Sequence, residues 1–266
     1  MSLKIASFNI NSVRSRLPLL EAWFEHRGND LDILCMQEIK AEEDKYPRDF
    51  FQRFGYKCYL NVQKRYNGVA TCSKPEVKYF SKVFGHPLLD EQKRLLHTDF
   101  EKFSLVNVYA PHGDLRGTDK FYYKLEWYDA FIDWIKNKFG DVKDKKIILT
   151  GDFNITMEDR DVYNPVALAD TIGTMPEERE KLRALLELGF LDAFRMLHPD
   201  EIQYTWWDYK GAKIWKNEGM RIDYIFITPP LKDHLVDVEV DMWARRKNKI
   251  KPSDHAPVIG TFEGLD

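Results

Sequence analysis

A carboxylate and an amide stand directly after a short apolar run, in residues 151–154, whose sequence is GDFN. The run before them, residues 147–150 (IILT), is β-branched and apolar, which predicts a buried strand. Side chains two positions apart in a strand leave the sheet on the same side, so Asp152 and Asn154 can act together. The carboxylate can hold a proton or a metal-bound water, and the amide can donate a hydrogen bond to a phosphate oxygen.

Other reactive side chains also fall at or just past the ends of predicted strands. Packed sheets bring strand ends together at one rim, so residues that are distant in sequence can converge there in one pocket. The set consists of Asn9, Glu38, Tyr109, Asp152, Asn154, Asp223 and Asp254. His255 follows directly, and a histidine oriented by a carboxylate can act as a general acid or base, or can stabilise an oxyanion when it is protonated.

Each of these residues also has a purely structural interpretation. Glu38 follows an apolar strand, where a hard cation such as Mg²⁺ would offset the cost of burying its charge, but an ion pair with Lys40 would serve as well. His255 can be a hydrogen-bonded loop histidine, and Asp223 can pair with its neighbour Arg221. The joint occurrence of these residues favours the functional interpretation.

Residues 204–209 (YTWWDY) form an aromatic segment. It is followed by Trp215, Lys216, Asn217, Met220 and Ile222. Aromatic and apolar side chains beside basic ones suit the bases or sugars of a disrupted nucleic-acid strand. Adjacent tryptophans in a strand point to opposite faces, so at least one should be exposed or line a cleft, and for Trp207 we prefer the core. Basic residues that could contact phosphates are Arg14, Arg16, Lys64, Arg65, Arg245, Arg246, Lys247, Lys249 and Lys251.

The composition is that of an ordinary globular protein, with 266 residues and 44% hydrophobic residues. The formal net charge of -3 gives no global attraction to nucleic acid or membranes, so a polyanion would have to meet a local basic face. The three cysteines form no CxxC pair and are odd in number, which argues against a disulfide framework or a zinc site and for a reducing compartment. Without a signal-like or membrane-spanning run, we expect a soluble intracellular monomer.

The elements that must position these residues recur along the whole chain. Helical periodicity with start signals predicts helices over residues 17–26, 120–139 and 176–188. Strands are predicted at residues 3–9, 33–37, 68–72, 94–100, 104–109, 146–150, 222–228, 236–240 and 257–262. Many strands with few long helices predict packed sheets with helices outside, and the lack of a linker or repeat predicts one domain over residues 1–266.

A series of segments in one order resembles the exonuclease III family of apurinic/apyrimidinic endonucleases, within the endonuclease/exonuclease/phosphatase superfamily. They are residues 7–14, 34–38, 67–70, Arg94, 109–111, 151–154, 204–209, 221–223 and 253–255. The resemblance implies an α/β fold, a four-layered α/β sandwich of two packed mixed sheets flanked by helices. It also implies Mg²⁺-dependent hydrolysis, with Mn²⁺ as an alternative, of the phosphodiester 5′ to abasic sites in duplex DNA. Related 3′→5′ exonuclease activity and removal of blocked 3′ ends are implied too, in the cytoplasm or at a prokaryotic nucleoid.

The resemblance further implies roles for individual residues. The catalytic set would be Tyr109, Asp152, Asn154, Asp223 and His255. The metal would lie near Asn11, Glu38, Asp152, Asn154, Asp254 and His255, with Asn9 positioning these groups. DNA contacts would come from Arg14, Arg94, Trp206, Trp215, Asn217, Met220 and Ile222. Asn11 stands where some relatives carry Asp, which removes one anionic ligand.

Other functions stay open from the sequence. A superfamily phosphatase acting on a soluble or lipid phosphate could share the acidic groups, but we would not expect it to carry the aromatic residues 204–209. A non-specific nuclease resembling DNase I would be expected to use a second histidine where Tyr109 stands. A non-catalytic DNA-binding member of the fold would be expected to lose acidic groups that this chain retains.

Overall fold

The computed structural model describes residues 2–246 and 249–265, and Lys247 of the predicted basic set lies outside them. The strands are β1 (Ser2–Asn9), β2 (Ile33–Gln37), β3 (Lys57–Asn61), β4 (Val69–Ser73), β5 (Tyr79–Ser81), β6 (Leu95–Asp99), β7 (Ser104–Tyr109), β8 (Ile147–Asp152), β9 (Leu191–Asp192), β10 (Asp223–Ile227), β11 (Leu235–Val240) and β12 (Val258–Glu263). The helices are α1 (Leu17–His26), α2 (Arg48–Arg53), α3 (Pro87–Asp90), α4 (Asp119–Phe139), α5 (Pro176–Glu187), α6 (Ala193–Leu197), α7 (Lys213–Lys216) and α8 (Trp243–Arg246).

The strands form two mixed six-stranded sheets. The first has the order β11-β12-β1-β2-β4-β3, and the second has the order β5-β6-β7-β8-β10-β9. Alternating side chains of each strand serve two cores: Ile5 of β1 packs between the sheets, whereas Phe8 packs against α1 on the outside. In β8, Ile148 lies in the core between the sheets and Leu149 packs against α4 and α5. The predicted four-layered α/β sandwich is confirmed.

The three predicted helices are present because their signals are local. The first covers the predicted residues, and α4 begins one residue earlier than predicted, after Thr118, whose hydroxyl accepts a hydrogen bond from the Phe121 amide at 3.2 Å. Pro176 opens α5, where its missing N–H costs no helical bond. Among the described residues, no helix is long and apolar enough to cross a membrane.

The structure differs from the sequence predictions in three of its strands and in its cysteines. Three strands were not predicted: β3, the edge strand β5 and the two-residue β9. The inference against disulfides was also wrong, because Cys58 and Cys72 face each other across β3 and β4 and form a disulfide. An odd number of cysteines excludes only the pairing of all of them in disulfides. Among the described residues the free cysteine is Cys35, which is buried. The cysteines therefore give no argument for a reducing compartment.

Candidate active site

Strand register places three of the predicted residues side by side at one end of the second sheet. Asp152 ends β8, where it pairs with Tyr109 of the parallel β7 and with Asp223 of the antiparallel β10. Gly151 is required beside it, because a Cβ there would lie 1.9 Å from the Val108 carbonyl oxygen. The glycine of the GDFN segment thus permits the close strand pairing that sets this row of side chains.

The first sheet contributes residues just beyond its strand ends. Asn11 follows β1 and Glu38 follows β2, and both have left-handed backbones, with φ of 45° and 56°. Asn154, which follows β8, has φ of 51°. Non-glycine residues adopt this conformation at a cost and tend to do so at functional sites. At all three positions the turn out of the sheet aims a polar side chain at the shared rim.

A pocket of about 640 Å³ opens at this rim. Ten of the predicted residues line it: Asn9, Glu38, Tyr109, Asp152, Asn154, Trp206, Met220, Ile222, Asp254 and His255. The expectation that strand ends bring distant residues into one pocket is therefore met. The pocket is also lined by His112, Leu115, Asp170, Thr171, Ile172 and Gly173. Leu115 and residues 170–173 were not predicted, because they lie in loops whose sequences carry no chemical motif.

Asp152 lines the pocket but is only 2% exposed. Its Oδ2 accepts from the Asn9 side-chain amide at 2.9 Å, and its Oδ1 accepts from the Asn154 backbone N–H at 3.0 Å. Burial and the nearby Asp223 carboxylate raise the pKa of Asp152 to about 7, against the opposing influence of His255. A carboxylate with such a pKa suits proton transfer near neutral pH.

His255 lies between two carboxylates. Its Nδ1 bonds to Asp223 Oδ2 at 2.8 Å, and its Nε2 lies 3.7 Å from Asp152 Oδ2. Burial lowers the pKa of His255, but the charges of Asp223 and Asp152 outweigh burial and raise it to about 10. The imidazole therefore carries a proton on each nitrogen at neutral pH. Asp223 does not pair with Arg221, whose guanidinium binds Asp161 and Asp192 at 2.7 Å each.

We expect the His255 imidazole to remain protonated at about pH 8 in the metal-free protein, well above the ordinary histidine pKa of about 6.5. Nitrogen NMR of the imidazole measures this directly. Since the pKa is raised in the folded state, the stability it contributes is complete below about pH 6.5 and is lost as the pH rises toward 10. Asp223→Asn should lower this pKa, and Asp237→Asn on exposed β11 should not. A His255 imidazole that is neutral at about pH 7 would contradict the assignment.

Asp254 and Glu38 add two further carboxylates to the pocket lining. Asp254 accepts from Trp206 Nε1 at 3.0 Å and from Asn11 Nδ2 at 3.2 Å. Although burial acts to raise the pKa of Asp254, the charge of His255 and the Trp206 hydrogen bond lower it overall, so its carboxylate is ionised. Lys40 Nζ lies 2.9 Å from Glu38 Oε1, so the ion pair that was the structural interpretation of Glu38 is present. Glu38 nevertheless also lines the pocket.

The acidic groups of the pocket fit a hard divalent cation. Asp152, Asp223 and His255 form the one cluster of three in the described part of the chain whose possible ligand atoms lie within 4.8 Å of one another, but because His255 is protonated on both nitrogens, only the two carboxylates are free to bind a cation. Asp223 Oδ1 is buried without a hydrogen-bond partner, and Glu38 and Asp254 add carboxylate oxygens nearby. Oxygen-rich sites of this kind suit Mg²⁺ or Mn²⁺ rather than softer metals.

An apolar wall forms another part of the pocket lining and meets the acidic groups at Trp206, whose Nε1 donates to Asp254. Trp206, Met220 and Ile222 form it, and isolated strand-like pairing joins Met220 to Trp206 and Trp206 to His255. Trp207 points the other way and is fully buried, as preferred from the sequence. Tyr109 also lines the pocket, and burial raises the pKa of its hydroxyl well above the usual value, so it remains a hydrogen-bond donor.

The remaining predicted DNA-binding residues lie outside the pocket lining. Arg14 is exposed beyond β1, and Trp215 on α7 is 71% exposed. Asn217 is also exposed, but its side-chain oxygen accepts from Trp207 Nε1 at 3.1 Å. Arg94 is buried with its guanidinium stacked on the Tyr109 ring, so it is placed to orient Tyr109 rather than to reach a surface phosphate.

Arg16 and Arg245, two of the basic residues that could contact phosphates, are buried against Tyr209. Arg16 Nη2 donates to the Tyr209 hydroxyl at 3.1 Å, and the Arg245 guanidinium lies over the rings of Trp207 and Tyr209. Both side chains are at most 5% exposed. These two arginines therefore support the aromatic segment. Any contact with a surface phosphate falls to the other predicted basic residues.

Two packed mixed sheets with carboxylates, a histidine oriented by one of them and polar amides at their shared rim define a class of phosphoester hydrolases with a four-layered fold. The sequence profile of the Endonuclease/Exonuclease/phosphatase family matches residues 6–255. The chain belongs to this family, whose members depend on divalent metals.

Individual relatives match over nearly the whole chain. An exodeoxyribonuclease of Bacillus subtilis is 32% identical over 260 residues, which is 96% of this chain and 98% of that protein. The structure of an AP endonuclease from Archaeoglobus fulgidus is similar with a TM-score of 0.91 and 36% identity, over 98% of this chain and 99% of that one. A 3′ phosphatase from Neisseria bound to a product DNA hairpin is similar with a TM-score of 0.91 and 34% identity, over the same shares.

Proposed function

We propose that this protein is a DNA repair nuclease that hydrolyses the phosphodiester 5′ to abasic sites in duplex DNA, with 3′→5′ exonuclease and 3′-end-cleaning activity. The observation that carries the proposal is one pocket lined both by Asp152 and His255 and by the apolar wall of Trp206, Met220 and Ile222. The names of the relatives, an exodeoxyribonuclease, an AP endonuclease and a 3′ phosphatase bound to DNA, support the same substrate class.

The acidic half of the pocket accounts for phosphodiester hydrolysis. Asp152 would orient the attacking water and accept its proton, and His255 would donate to a phosphate oxygen as negative charge develops there. Asn154 and the neutral Tyr109 hydroxyl would donate further hydrogen bonds to the phosphate. Mg²⁺, held by Glu38 and Asp254 with Asn11 nearby, would neutralise phosphate charge when bound.

The apolar half accounts for the choice of lesion. A sugar without a base can enter between Trp206, Met220 and Ile222, whereas an intact nucleotide brings a base that must also be unstacked and accommodated. Selection would then rest on shape rather than on hydrogen bonds to a base. Residues 1–266 would act as one nuclease domain and as a monomer, which light scattering of the purified protein can check against the chain mass of 31.5 kDa.

Incision of an abasic duplex in the presence of Mg²⁺ is the expected result of the test. A single gel compares a duplex carrying an abasic analogue with the matched intact duplex, each with Mg²⁺, with Mn²⁺ and with EDTA. A parallel phosphate-release assay uses an inositol phosphate. We expect internal incision only 5′ to the analogue, beside any shortening of the 3′ ends by the exonuclease activity, and both only with metal. Release of phosphate from the inositol compound without any nicking would favour the phosphatase and reject the proposal.

A further inference from the structure

A buried ion pair lies directly behind the pocket. Lys124 of α4 donates to the carboxylate of Glu178 of α5, and both side chains are about 1% exposed. Stability alone does not explain such a pair, because well-packed apolar residues of similar volume often stabilise a core equally well or better. The contacts that the pair makes with the backbone suggest another role.

The ammonium of Lys124 also binds two backbone carbonyls of the pocket. It donates to the Asn154 carbonyl oxygen at 2.7 Å and to the His112 carbonyl oxygen at 3.0 Å. With Glu178, these acceptors use the three donors that a lysine ammonium offers. Both carbonyls belong to residues that line the pocket, so one side chain of α4 ties two pocket segments together.

Glu178 binds a third segment of the pocket, the loop before α5. Its Oε1 accepts from the Gly173 backbone N–H at 2.8 Å and from the Met175 backbone N–H at 3.2 Å. Gly173 lines the pocket beside Ile172. The loop before α5, the turn after β8 and the segment after β7 thus meet at a single pair of opposite charges.

The residue whose conformation this network most directly fixes is Asn154. Its backbone is left-handed, a conformation that asparagine tolerates better than most residues and that surrounding contacts help to hold. Its N–H donates to Asp152 Oδ1, and its Nδ2 donates to the Ala110 carbonyl at 2.8 Å. The Lys124 bond holds the remaining backbone group, the carbonyl, and so fixes the peptide plane from which the side chain enters the pocket.

We propose that Lys124 and Glu178 are positioning residues, which hold the Asn154 carbonyl and the Gly173 loop so that the Asn154 side chain meets the scissile phosphate. The inference rests on the proposed function, because it assigns a task to the same pocket. A purely structural ion pair would change the stability of the fold but not the turnover of the molecules that are folded. Positioning predicts a loss of kcat with little change in KM, since Asn154 acts on the reacting phosphate.

The test compares three variants under conditions where each is folded. Lys124→Met combined with Glu178→Gln removes both charges and the donor to Asn154, and kcat for abasic incision should fall at least about tenfold while KM stays within about threefold. Glu178→Gln alone keeps the amine on the Asn154 carbonyl and should retain more kcat than the double variant. Ile135→Ala, in the same helix but within the core away from the pocket, should lose stability and keep its kcat.

The outcomes separate this inference from the proposed function. If the unmodified protein does not cut abasic duplex, the proposed function fails. If it cuts and the folded double variant keeps the kcat of the unmodified protein, the positioning role is wrong.

Amide hydrogen exchange of the unmodified protein gives an independent test if the double variant does not fold. The Asn154 and Gly173 amides should open as one unit, with protection factors within about tenfold of each other. Gly173 exchanging about a hundredfold or more faster than Asn154 would overturn the coupling.

Discussion

Asp152→Asn is expected to reduce the rate of abasic-site incision by about a hundred- to ten-thousandfold, the usual contribution of a positioned general base. The substitution keeps the size of the side chain but removes its ability to take a proton. The raised pKa of Asp152, about 7, places that ability in the neutral range. An amide at this position would also set an NH₂ group against the Asn9 or Asn154 donors. Single-turnover incision of an abasic duplex measures the rate.

Asp129→Asn is the matched control for this experiment. It makes the same chemical change on the exposed face of α4, where Asp129 pairs with Lys181 at 2.6 Å, and should leave incision unchanged. Full activity of a folded Asp152→Asn protein would remove Asp152 as the proton acceptor even if the substrate assignment survived. A loss confined to binding, with an unchanged single-turnover rate at saturation, would give Asp152 a role in substrate affinity instead.

The fold was predictable from the sequence wherever its signals are local. The helix over residues 17–26 and the strands over residues 33–37 and 104–109 have the predicted bounds, because periodicity and end residues fix them independently of the partners. The edge strand β5 escaped prediction since none of its three residues is buried, and a strand without a buried face has no alternating pattern. The pairing of Cys58 with Cys72 depends on the register of β3 and β4, which no local pattern encodes.

The residues of the candidate site were likewise predictable only where the signal is local in the sequence. Asp152, Asp223 and His255 were found because reactive residue types at strand ends form recognisable segments. Lys124 was missed because a lysine within an amphipathic helix is usually solvated, and only the tertiary structure shows that it is buried at the centre of three loops. Arg94 was expected at a phosphate, and burial beneath Tyr109 could not be read from its position in the sequence.

His255→Gln is expected to reduce the incision rate by about a hundred- to a thousandfold, the typical cost of losing one donor to a developing oxyanion. At neutral pH the raised pKa, about 10, makes His255 a cation that Asp223 orients through Nδ1. Glutamine can still donate a hydrogen bond but carries no charge. The substitution also leaves Asp152 and Asp223 together without the cation that lies between them.

The loss in His255→Gln should therefore depend on pH. His255 lowers the pKa of Asp152, so without it that pKa rises and the deprotonated carboxylate forms only at higher pH. The deficit relative to the unmodified protein should be larger at about pH 6 than at about pH 8. His234→Gln, at the surface against the Glu263 carbonyl, is the control and should change neither rate nor profile. A deficit that is equal at both pH values would show that His255 acts on the phosphate without tuning Asp152.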